Sequence, residues 1–146
     1  MFSSPKATRR MVALSTASAH GHIVDLGSGW GTLALAAARA NPHKTVIGYE
    51  LSPIPLYFSK LLKLLFAQRN LHFKRLDFFT LAFKADTLYL CYLYPGAMQR
   101  LQSKIENSAV KPELISNTFA LPGYSEDKRV TLRDLYATPL YLYRKR

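Results

Sequence analysis

The sequence has one cysteine in 146 residues, Cys91. A single thiol excludes an internal disulfide framework and makes a reducing compartment, the cytoplasm, the expected location. Cys91 lies in the apolar, aromatic run Leu88–Tyr94, which supplies no cation to activate a thiolate, so a core thiol is expected. No apolar run reaches the length of a membrane span, and no secretory apolar region is visible. His20, His22, His43 and His72 lack metal-ligand spacing, so no metal is expected. Acids are scarce. Lys plus Arg number 20 against 9 Asp plus Glu, giving a net charge of +11. Such an excess points to an anionic partner: nucleic acid, an anionic membrane surface or an acidic protein. The cations are scattered, with tight clusters only at Arg9-Arg10 and Arg144-Lys145-Arg146. The first twenty residues hold no acid and are rich in Ser, Thr and Ala. They read as a segment leading into the first strand; the alternative is a mitochondrial transit peptide.

What is present is an alternation of short apolar runs with helical patterns over one expected domain, 1–146. That is the mark of βαβ units and an α/β fold with a mostly parallel sheet. Strands are expected at His22–Leu26, Thr45–Glu50, Leu71–Leu76, Thr87–Leu93 and Glu113–Ala120. The fourth is apolar on both faces and so is placed centrally. Helices are expected at Thr32–Ala40, stopped by Asn41-Pro42; from Pro53 to about Gln68, with Ser52 as cap; and at Gly96–Asn107. Lys128–Tyr136 and Pro139–Arg144 read as a terminal antiparallel hairpin.

Gly27, Gly29 and Gly31 follow the first strand and open a helix, where the backbone must turn sharply and let a ligand approach. The spacing is G-x-G-x-G, and Thr32 stands where a dinucleotide site would carry its third glycine. A pyrophosphate seeks a helix N-terminus. S-adenosylmethionine has no phosphate, so its amino-acid end can occupy the loop around Ser28. Asp25 supports that choice, because a carboxylate suits an ammonium and repels a pyrophosphate. Glu50, ending the second strand, offers two acceptor oxygens to a ribose diol. Asp77 is placed to accept from an adenine amino group, with Phe78 packing the base. Leu51 and Tyr92 complete the expected cofactor set.

Ile23-Val-Asp-Leu-Gly-Ser-Gly-Trp-Gly31 resembles motif I of class I S-adenosylmethionine-dependent methyltransferases, and Gly48-Tyr-Glu-Leu-Ser-Pro53 resembles their second, acidic motif. More narrowly, the chain resembles the small protein-lysine methyltransferases that act on the ATP synthase c subunit and the adenine nucleotide translocase, with their bacterial relatives. Ser4-Pro5 with Met11-Val12, Tyr94-Pro95 with Met98, Leu101 and Lys104, Phe119-Ala-Leu-Pro122, and Tyr141 or Tyr143 carry that likeness. Ser52 replaces an Asn, Trp30 replaces a small or acidic residue, and the hydrophobic membrane-targeting segment that eukaryotic members carry upstream is not expected from these residues. The resemblance implies a Rossmann-like class I methyltransferase sheet, with helices on both faces, and a protein substrate methylated on lysine.

Methyl transfer from a sulfonium needs a nucleophile held in line and water kept out. Tyr94 and Pro95, after the fourth strand beside Tyr92, are the candidate positioning residues, since aromatic rings can sheath a lysine stem. The Asn/Asp-Pro-Pro-Tyr/Phe motif of exocyclic-amine methylation is absent after that strand, as is a cysteine pair for C5-pyrimidine chemistry. Two other readings stay open: an RNA or small-molecule methyltransferase, motivated by the charge, and a non-catalytic cofactor- or nucleic-acid-binding module, motivated by the small size.

Overall fold

The computed structural model describes residues 4–121, 128–132 and 138–143. Pro122, Tyr136 and the Arg144-Lys145-Arg146 cluster lie outside the described residues. The alternation yields α1 (Pro5–Thr16), β1 (His22–Leu26), α2 (Thr32–Ala40), β2 (Thr45–Tyr49), α3 (Pro53–Leu65), β3 (Leu71–Lys74), a 3-10 turn (Phe78–Thr80), β4 (Thr87–Cys91), α4 (Pro95–Glu106), β5 (Glu113–Asn117), β6 (Lys128–Thr131) and β7 (Pro139–Tyr143). The strands lie in the order β3-β2-β1-β4-β5-β7-β6. β1 to β5 pair in parallel, whereas β7 runs antiparallel to both β5 and β6. The expected hairpin therefore exists, and it enters the sheet through its second strand. β4 is buried along its whole length in the middle of the sheet, as its two apolar faces require.

Two apolar clusters fill the faces. One joins Ala7 and Met11 of α1, the Leu/Ala side of α2 and Leu56 of α3 to Ile23, Val46, Leu88 and Ile115. The other joins Ala97, Met98, Leu101 and Ile105 of α4 to Val24, Leu26, Tyr89, Cys91 and Phe78. Cys91 is fully buried there, and burial pushes its thiol up to about 12, so it serves as core. The segment before β1 is more ordered than a plain lead-in: Ser4 caps α1 by accepting from Ala7 N–H at 3.2 Å, and Pro5 opens the helix.

Where element ends differ from expectation, backbone chemistry explains it. β2 stops at Tyr49 because Glu50 turns to serve the neighbouring loop, although its N–H still donates to Lys74 at 3.1 Å. β5 stops at Asn117 because Thr118 takes a positive φ of 70°. α3 ends at Leu65, short of Gln68, in a left-handed cap: Gln68 N–H donates to Lys63 and Ala67 N–H to Leu64, with Ala67 at φ 49°. That position favours glycine. Ala67→Gly is expected to raise stability by about 0.5–1 kcal/mol in urea titration, with an unchanged m-value.

Candidate functional site

The last paired rows of the sheet set Leu26 beside Tyr49 and Cys91, and Tyr49 beside Lys74. The loops leaving β1, β2, β3 and β4 consequently start at one edge. They carry Gly27–Gly31, Glu50–Leu51, Asp77–Phe78 and Tyr92–Pro95. This carboxyl edge of parallel strands is where open α/β sheets bind ligands.

Gly27, Gly29 and Gly31 all have positive φ, at 67°, 55° and 86°. A Cβ on Gly31 would lie 2.7 Å from Ser59 Oγ and 2.8 Å from Phe73 Cζ. Both conformation and space thus require glycine there. Gly31→Ala is expected to cost about 2 kcal/mol or more of stability, read as a fall in the thermal midpoint, because strain and overpacking add.

Glu50 is the strut of the loop. Its Oε1 accepts from Gly29 N–H at 2.8 Å and its Oε2 from Ser52 N–H at 3.0 Å. The same carboxylate tethers the glycine loop and the start of α3, and each oxygen keeps a lone pair. Ser52 does occupy the N-cap of α3. Its side chain makes no capping bond, however, while its backbone N–H donates to Glu50. Ser59 is a contributor that sequence reading passed over. Buried on α3, its Oγ donates to Gly29 O at 3.0 Å and Pro55 O at 2.8 Å. The signal was a small polar residue three positions after Leu56 on the buried face.

Asp25 is 3% exposed, and its carboxyl is pushed up to about 8, first by burial and then by the Glu50 charge. Ser28 is buried two residues past the strand, with its Oγ unpartnered among the described residues. A buried hydroxyl without a partner is costly in a finished interior, and beside a buried carboxyl it fits a site built to receive a polar, cationic ligand.

Asp77 caps the 3-10 turn, accepting from Phe79 N–H at 3.0 Å. Phe78 is nearly buried, its ring 4.2 Å from that of Phe79. It lies under the glycine loop: a Cβ on Gly27 would be 3.9 Å from Phe78 Cε1 and 3.3 Å from Leu93 Cδ2. Leu51 is half exposed at the loop's outer side. At the end of β4, the Tyr92 ring stacks on Phe119 with centroids 6.3 Å apart, and exposed Tyr94 precedes Pro95, which starts α4. The structure therefore gathers every expected site residue at the edge, along with Ser59, Phe119 and Leu93. Among the described residues no group of three His, Cys, Asp or Glu side chains is arranged to hold a metal ion.

Residues 25–128 match the ANTKMT methyltransferase domain, a span that begins at Asp25 and includes the whole edge. The chain belongs to this methyltransferase family. Its place is within the class I S-adenosylmethionine-dependent methyltransferases, and it is an enzyme of that kind. Comparison with curated proteins finds no match. Among solved structures, the chain is similar to an RNA methyltransferase from Salinibacter ruber in complex with S-adenosyl-L-homocysteine, at 23% identity, TM-score 0.81, and coverage of 98% of this chain and 92% of that one. A precorrin-6y C5,15-methyltransferase from Geobacter metallireducens is similar at 13% identity and TM-score 0.69, covering 97% and 87%. A magnesium protoporphyrin IX methyltransferase from Synechocystis with bound S-adenosylmethionine aligns at 17% identity and TM-score 0.67, covering 92% and 76%. These likenesses are of fold.

Proposed function

We propose that this chain is a protein-lysine N-methyltransferase whose cofactor is held by Asp25, Gly27–Gly31, Glu50, Leu51, Asp77, Phe78 and Tyr92. The observation that carries this reading is the ANTKMT-domain match over a site whose acceptor side is aromatic. Bound S-adenosylmethionine supplies an already activated methyl group. The protein's own residues bind, orient and exclude water. The positive φ of Gly27, Gly29 and Gly31 lets backbone approach the amino-acid end closely. Asp25, its carboxyl pushed up to about 8 by burial and then by the Glu50 charge, would give up its proton to pair with the ammonium. Glu50 offers its remaining lone pairs to the ribose diol while fixing the loop. The free oxygen of Asp77 accepts from the adenine amino group, over a floor made by Phe78.

On the acceptor side, Tyr92, Phe119 and Tyr94 provide ring faces that hold a lysine stem and steer its amino group. Tyr94→Ala is expected to lower kcat/KM for a protein substrate about tenfold, while cofactor affinity in calorimetry stays unchanged. An RNA substrate is the second reading, favoured by the +11 charge. Transfer of labelled methyl groups into a cell lysate separates the two. Label in methyl-lysine after acid hydrolysis of the protein fraction supports the lysine reading. Label confined to RNA overturns it.

A further inference from the structure

We propose that the outward face of α3 docks on an anionic phospholipid bilayer, presenting the cofactor edge to the membrane surface. α3 is apolar on both sides. Leu56 and Ser59 face the sheet, yet Ile54 (74% exposed), Tyr57 (66%), Phe58 (43%), Leu61 (50%), Leu64 (75%) and Leu65 (70%) face outward. Their spacing of three and four residues makes one continuous stripe along the helix. Phe66 and Leu51, both about half exposed, extend it at either end. Exposed apolar residues scattered singly need no explanation, but a stripe of this length marks an interaction surface.

Charge identifies the occupant. Between Glu50 and Asp77 the chain has no acidic residue, whereas Lys60, Lys63, Arg69, Lys74 and Arg75 all fall there. A shallow depression of about 540 Å³ at the C-terminal end of α3 is lined by Lys60, Lys63 and Arg69 beside Leu64. The positive field is felt locally: His72 is held below the ordinary imidazole range by burial and then by Lys63 and Lys74. An apolar stripe flanked by cations suits a helix lying in the interface of an anionic leaflet, its leucines among acyl chains and its lysines at the phosphates. A second copy of the chain would bring like charges together, and an RNA would leave the leucine stripe in water. Among the described residues no helix is long and apolar enough to cross a membrane; α3, with its exposed stripe on one face only, lies along the surface. Leu51 and Ser52 join the stripe to Glu50, which sets the site beside the bilayer.

The test uses the full chain and vesicles of phosphatidylcholine with and without phosphatidylglycerol. Trp30, the single tryptophan, packs edge-on against Phe58 at 5.2 Å and reports on this face. The expected results are co-sedimentation about tenfold or more tighter with phosphatidylglycerol, weakened by salt, and a blue shift of Trp30 emission. Leu64→Glu with Leu65→Glu abolishes binding to either vesicle. Lys60→Glu with Lys63→Glu removes the preference for the anionic one. Both double variants keep the cofactor affinity of the parent, which shows that they are folded and separates this proposal from the cofactor assignment. The proposal is overturned if the parent ignores both vesicles, if Leu64→Glu with Leu65→Glu binds as before, or if the stripe instead supports a dimer that this variant dissociates.

Discussion

Asp25→Asn is expected to weaken S-adenosylmethionine binding about ten- to a hundredfold while making the ligand-free protein more heat-stable at pH 8. The two effects share one cause. Asp25 is buried and feels the Glu50 charge, and its carboxyl is pushed from 3.8 up to about 8. Between those values the folded chain holds a proton that the unfolded chain has released. The unfolded state therefore binds fewer protons, and stability falls as pH rises through this window. Asparagine removes that slope, so the stability difference between variant and parent grows from pH 5 to pH 8. Binding runs the other way. A cationic ligand needs the carboxylate, so parental affinity climbs with pH up to about 8 and then levels. The Asn variant is flat and weaker throughout. Calorimetric titrations and thermal melts at several pH values check both halves. An aspartate that served only to pack the strand would leave the binding profiles of the two proteins parallel, with the stability difference alone depending on pH.

Glu50→Ala is expected to be more damaging still, lowering kcat/KM for methyl transfer by at least about a hundredfold. The side chain holds Gly29 N–H and Ser52 N–H at 2.8 and 3.0 Å, and in the proposed site it also meets the ribose. Its loss strands the loop donors and removes the diol acceptor together. Glu50→Gln separates these roles. An amide oxygen can still accept one of the two loop bonds, so stability recovers in part, while ribose recognition remains impaired. Hydrogen exchange at Gly29 and Ser52 reads the loop, and the cofactor dissociation constant reads the ribose contact. Faster exchange with unchanged affinity in Glu50→Ala would confine Glu50 to the scaffold.

Much of this was legible in the residues because each signal was local. Strand periodicity, the Ala/Leu pattern of α2 before Asn41-Pro42, and the proline opening α3 place the elements within a few residues. The glycine spacing with Asp25 and Glu50 locates the site, since these fall at strand ends whatever the packing. What was not legible depends on contacts distant in sequence. The Ser59 bond to Gly29 O spans thirty residues. The outward stripe of α3 could not be separated from its core face, because a helix apolar on both sides carries no periodic sign of which side meets the sheet. Glu50's backbone bonds were likewise hidden: a carboxylate after a strand looks the same whether it holds a loop, a ribose or both. The early stop of α3 came from Ala67, a residue whose composition gives no warning of a left-handed cap.

The central claim is that the Gly27–Gly31 loop with Asp25 and Glu50 receives a sulfonium nucleoside and rejects a dinucleotide. Calorimetric titration of the full chain at pH 7, in two buffers of different ionisation enthalpy, tests it most directly. The account predicts one S-adenosylmethionine bound per chain, with nearly one proton released from Asp25, and no binding of NADH. Saturable NADH binding with S-adenosylmethionine silent would contradict it.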